Sequence, residues 1–137
     1  MTYEEATDQI LDMFKGAWDP TGYKAFYEQL RDQRDTSEDP YAVVFIRHSS
    51  GFQANLGGIG NRKFLRNGFI QVVIHTPSVF GLSSRYQLAK VVSDAYEGQS
   101  SQNGGVWFRR VRINEAGREG MFYMLNVFAD FEYYETK

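Results

Sequence analysis

The residues best placed to do chemistry lie between positions 66 and 98. The run Ile70-Gln71-Val72-Val73-Ile74 reads as a strand, breaks at Thr76-Pro77, passes Gly81, and restarts as a helical pattern behind Ser83 and Ser84. A strand, a sharp loop and a serine-rich helix start is where many hydrolases expose a nucleophile. In that chemistry Ser83 or Ser84 attacks, His75 takes its proton, and an acid such as Asp94 orients the imidazole. The spacing argues against it. A nucleophile elbow flanks its serine with glycines, and the order here is Gly81-Leu82-Ser83-Ser84. A serine oxygen at a helix start accepts a hydrogen bond from an otherwise unpaired backbone N–H, so these serines are expected as caps. Ser84 and Gln87 also stand at capping-box spacing.

Other chemistries are weaker still. The chain has no cysteine, which excludes thiolate nucleophiles, thiolate metal sites and disulfides, and fits a reducing compartment. His48 and His75 are the two histidines, and neither has carboxylates at ligand spacing. The stretch Gly57-Gly58-Ile59-Gly60-Asn61 is glycine-rich, but no lysine-serine or lysine-threonine follows it and a strand comes next, so it is not a phosphate loop. No glycine fingerprint opens a helix, so no dinucleotide site is expected. No cofactor, metal ligand or catalytic residue is therefore assigned.

Charge is more informative. The net value of −2 hides ten acids against four bases in residues 1–40, and seven acids against eleven bases in the rest. Arg62, Lys63 and Arg66 form one basic cluster, and Arg109, Arg110 and Arg112 another. Phe108 beside the latter resembles the aromatic and basic mixture of single-strand binders. The acidic pI of about 5.7 favours a subunit seam instead, with the arginines paired to acids of the N-terminal part.

The elements that must position these groups follow from periodicity. Residues 3–16 read as an amphipathic helix with Thr2 and Glu5 at capping-box spacing, a stripe of Tyr3, Ala6, Ile10, Met13 and Ala17 widened by Leu11 and Phe14, and Gly16 as its end. Tyr23 to Leu30 is either helical turns or a short strand, and Asp32 to Pro40 a mobile loop. Strands are expected at 41–46, 62–75, 106–113 and 121–134, the last with a clean period of two. Residues 48–60, with four glycines and two serines, read as a long flexible excursion. A second helix spans 83–96 with Leu88, Val91, Val92 and Ala95 buried. Asn114 to Gly120 reads as a hairpin turn. The fold class is α+β: one domain over 1–137, a mixed, mostly antiparallel sheet of four to five strands with two helices packed on it. The first residues lack a secretory pattern and no apolar run reaches membrane-spanning length, so a soluble cytoplasmic protein with no membrane partner is expected.

The run AVVFIRHSSGFQANLGGIGNRKFLRNGFIQVVIHTPSVFGLSSRYQLAKVVSDAYEGQ resembles the tail terminator proteins of long-tailed, non-contractile bacteriophages. The likeness is carried by a strand ending near His48-Ser49-Ser50-Gly51, a loop to Arg66 and Gly68, the alternating strand 69–75, Pro77 with Gly81, and a helix containing Leu88-Ala89. The N-terminal helix followed by Trp18 adds to it. The resemblance implies a structural, non-enzymatic virion protein in the tail, assembled in the host cytoplasm. Such proteins form a ring, usually hexameric, that caps the tail tube protein, stops its polymerisation, and offers a surface to the head–tail connector. DNA passes through without being read. On this reading His48, Ser50, Gly51, Phe52, Asn55, Gly58, Gly60, Arg62, Lys63 and Arg66 form a tube- or ring-contact loop, and Arg109, Arg110 and Arg112 a subunit seam. A head-completion or stopper-type connector is the alternative, and a small serine hydrolase a remoter one.

Overall fold

The computed structural model describes residues 1–28, 39–101 and 103–137. Most of the polar stretch expected as a mobile loop lies outside these residues. The order is α1 (Tyr3–Trp18), a 3-10 turn (Asp19–Thr21), β1 (Lys24–Tyr27), β2 (Tyr41–Gln53), β3 (Lys63–Pro77), α2 (Leu82–Tyr96), β4 (Val106–Glu119) and β5 (Phe122–Thr136). The sheet runs β1-β2-β3-β5-β4. Among the described residues only β1 and β2 pair in parallel. A single bridge from Ser100 to Trp107 adds a sixth, one-residue segment. This is the expected α+β class. No helix among the described residues is long and apolar enough to cross a membrane.

Helix α1 starts as its cap dictates, with the Glu5 N–H donating to Thr2 Oγ1 at 3.2 Å. Its buried residues are Ala6, Ile10, Phe14 and Trp18, one per turn. The expected end at Gly16 is overrun by two residues. Trp18 holds the last turn, because its buried Nε1 donates to the Tyr23 and Lys24 carbonyls at 3.1 and 3.2 Å. Tyr3, on the same stripe at the helix start, is half-exposed, with its ring against His48 and Tyr133.

Helix α2 differs from expectation at its start and in its phase. It begins at Leu82, Gly81 occupies the cap position, and no side chain caps it. Ser83 and Ser84 are thus the second and third helical residues, not caps. The buried residues are Ala89, Val92, Ser93 and Tyr96; of the expected stripe Val92 is among them, while Leu88 and Ala95 pack only partly buried against the core and Val91 is half-buried. Tyr96 sets that phase. Its ring lies 4.7 Å from Phe108, and its hydroxyl donates to the Ile10 carbonyl at 2.9 Å, which ties α2 to α1.

The sheet is longer than the sequence pattern suggests. Strand β2 continues through His48–Gln53, with a bulge between His48 and Gly51. The supposed excursion from 48 is therefore strand for its first six residues. Strand β4 continues to Glu119, so the turn expected over 114–120 contracts to Gly120-Met121. Gly117, with φ +91°, sits at a bulge instead of the turn.

One face of the sheet carries the core. Ile70, Val72 and Ile74 of β3 lie directly opposite Ala129, Val127 and Leu125 of β5, all buried beneath the helices. Phe45, Phe69, Val73 and Phe128 point to the other face and are half-buried. Among the described residues no helix covers that side. At Gly68 the neighbouring strands β2 and β5 leave no room for a side chain. A Cβ there would collide with the Arg47 carbonyl oxygen and lie 2.8 Å from the Phe131 ring. Gly68→Ala should therefore destabilise the fold by about 1–3 kcal/mol. A urea midpoint equal to that of the native chain would show that the strands can part at no cost.

Candidate docking loop and arginine edge

The loop between β2 and β3, expected as a long excursion, is closed by hydrogen bonds across its base. The Ala54 N–H donates to the Lys63 carbonyl at 2.6 Å. Asn55 Oδ1 accepts from the Lys63 N–H at 2.9 Å and the Gly57 N–H at 3.4 Å. Arg62 Nε donates back to the Gly57 carbonyl at 3.1 Å. At the base, Arg62 and Lys137 exchange two backbone hydrogen bonds of 2.8 Å. Gly57 has no room for a side chain, since a Cβ would fall 2.5 Å from the Asn61 carbonyl oxygen. Gly60, at φ +89°, completes the turn.

This framework presents three apolar side chains to solvent. Leu56 is 97% exposed, Ile59 90% and Phe52 59%. Sequence reasoning selected Phe52 but missed Leu56 and Ile59. The available signal was two aliphatic residues in a stretch otherwise made of glycine and asparagine. Gly58 lies open at the tip, and Lys63 sits over the Tyr134 ring at 5.8 Å.

The base of the loop works differently. His48 turns toward the helix-covered face, where its ring stacks on Tyr3 at 4.3 Å. With Nε2 unprotonated, the Tyr133 hydroxyl donates to it at 2.7 Å. Arg66 pairs with Glu135 at 3.0 Å and lies over the Tyr3 ring. Gly51 leaves space for it, because a Cβ would come 2.9 Å from the Arg66 guanidinium. His48, Gly51 and Arg66 thus fasten the start of α1 to the sheet and do not reach outward with the tip. The side chain of Ser50 lies outside the described residues.

The second cluster sits at a bulge on the edge strand. Arg109 pairs with Asp130 across the ladder, and the register shifts by one before Arg112, with Arg110 at φ +52°. Three guanidinium groups share two carboxylates: Arg109 meets Glu132 at 3.6 Å, Arg110 meets Asp130 at 3.5 Å, and Arg112 meets Asp130 at 3.2 Å. Trp107 Nε1 also donates to Glu132 at 3.1 Å. The sequence expectation paired these arginines with N-terminal acids. Within one chain their partners are the acids of β5. A shallow cleft of about 230 Å³ lies alongside, lined in part by Ser49, Asn67, Asp130 and Glu132.

The residues considered for acyl transfer have structural surroundings. The His75 ring is buried and stacked on Tyr41 at 4.4 Å. Ser83 is exposed in the first turn of α2. Among the described residues no three histidine or acidic side chains converge as a metal site would require.

Burial, and after it the Arg66 guanidinium, lowers the His48 pKa, with Glu135 opposing them. Between the depressed folded value and the ordinary one near 6.5, the unfolded chain binds more protons than the folded chain. The contribution is present above pH ~6.5 and is lost as pH falls through the folded value. Denaturant midpoints should therefore drop as the pH falls below about 6.5, and His48→Phe should flatten that part of the profile. The same slope in both proteins would exclude His48 as the source.

No protein-family model matches the chain, and no curated protein matches it. Among solved structures, one whose label states no function aligns over 93% of this chain and 94% of its own, with a TM-score of 0.61 and 12% identity. At that identity the likeness shows a shared fold and nothing further.

Proposed function

We propose that this chain is a structural subunit of a bacteriophage tail, a terminator that assembles as a ring on the finished tube, stops its growth and offers the opposite side to the head. The resemblance across residues 1–112 motivates the reading. The observation that best supports it is the β2–β3 tip. A small loop pinned by Asn55 and Arg62 holds Leu56 and Ile59 in water. Exposing two aliphatic side chains on a hydrogen-bonded turn costs solubility and is useful where a partner buries them. A pre-formed loop also loses little conformational freedom on docking. Arg62 and Lys63 flank the tip and suit an acidic rim on the tube protein. The proposed role requires no cofactor, and DNA would cross the ring unread.

Phage lacking this protein should make overlong tubes if it is a terminator. Normal-length tails without heads would instead identify a stopper-type connector. A Leu56→Ser, Ile59→Ser double variant should fold with an unchanged melting curve yet fail to restore tail length. Full restoration by that variant would remove the tip from the docking role.

A further inference from the structure

The two faces of the molecule differ in charge. On α1, Glu4, Glu5, Asp8 and Asp12 are exposed on the side turned away from the core. Among the described residues none of the four is in an ion pair; Glu5 only accepts from the Thr2 hydroxyl. On the opposite face, which no helix covers among the described residues, Arg109 and Arg110 stand at 64% and 76% exposure, and with Arg112 they outnumber their carboxylate partners three to two. The half-buried rings of Phe69 and Phe128 adjoin them on that face.

The edge itself is closed to strand addition. β4 carries two bulges, one at Arg109/Arg112 and one at Glu115/Gly117. Bulges and outward charge on an edge strand prevent the continuous ladder that another strand would need. A partner must therefore reach this edge through side chains.

We infer that the arginine edge and the adjoining sheet surface around Phe69 and Phe128 of one copy pack against the outward face of α1 of a second copy, with Asp8 and Asp12 opposite Arg109 and Arg110. The occupant is a second copy because the chain itself carries the complementary charge on its other face. The two surfaces are unlike, so the contact is head-to-tail, and repetition closes a ring or runs on as a filament. The seam rests on the ring reading proposed above and names the surfaces that would make it. It leaves the β2–β3 tip free for a different partner.

The absence of cysteine makes the seam directly testable. Asp8→Cys and Arg109→Cys chains are mixed in equal amounts and oxidised, so every disulfide is intermolecular. The mixed disulfide should exceed random pairing, and the excess should fall with added salt, which screens exposed charges. Asp12→Cys, one turn along, serves as a second reporter should Asp8→Cys disturb the helix start. Random pairing with both reporters overturns the seam. In addition, Asp8→Lys, Asp12→Lys chains and Arg109→Glu, Arg110→Glu chains should each fail to associate alone and recover when mixed. Failure of the mixture to recover also overturns it. Tail length in the complementation assay separates the two ideas. Random disulfides with overlong tubes in the null phage leave the terminator reading standing, whereas an excess mixed disulfide with normal tubes keeps the seam and rejects that reading.

Discussion

Everything in this fold hangs on the register between β3 and β5. The two strands pair without interruption from Lys63 opposite Thr136 to Pro77 opposite Phe122. Side chains alternate across a sheet, so this single register decides what lies under the helices and what faces away from them. It sends Ile70, Val72, Ile74, Leu125, Val127 and Ala129 to one side and Phe69, Val73, Asn126 and Phe128 to the other. A one-residue slip would exchange the two sets. Gly68 guards against it, since its site, crowded by Arg47 and Phe131, admits no neighbour with a side chain.

The strands flanking this central pair depart from regularity, and the departures lie beside the charged groups. The bulge in β2 separates His48, which faces the helices, from the glycine that lets Arg66 lie flat. The bulge in β4 gathers three arginines around two acids. In both cases one extra residue redirects side chains without disturbing the central pair of strands. The regular strands thus serve as scaffold, and the irregular edges present the groups available to partners.

Much of this was legible from residue order. Thr2 and Glu5 marked the start of α1, the odd positions of β5 marked its buried side, and the alternation of 69–75 marked β3. What was not legible has physical causes. Ser83 and Ser84 look like caps because serine oxygens suit helix starts, but Gly81 took the cap position and drew Leu82 into the helix. Gly51 and Gly117 look like loop residues, whereas each permits a bulge or close crossing inside a strand. The Tyr96 hydroxyl reaches Ile10 across 86 positions, a contact that no local pattern encodes. In the docking loop, attention to glycines and basic residues hid the two aliphatic side chains that define its tip.

The uninterrupted length of β3 has a mechanical meaning. Its 15 residues carry the loop with Leu56 and Ile59 at one end and lead, at the other, to exposed Val79 and Leu82 beside Met121. At ~3.3 Å per residue, those ends stand on the order of 50 Å apart. The backbone hydrogen bonds on both sides of β3 make that span stiff. The molecule is in effect a gauge of fixed length, and the distance between anything held at its two ends is written in the number of residues in one strand.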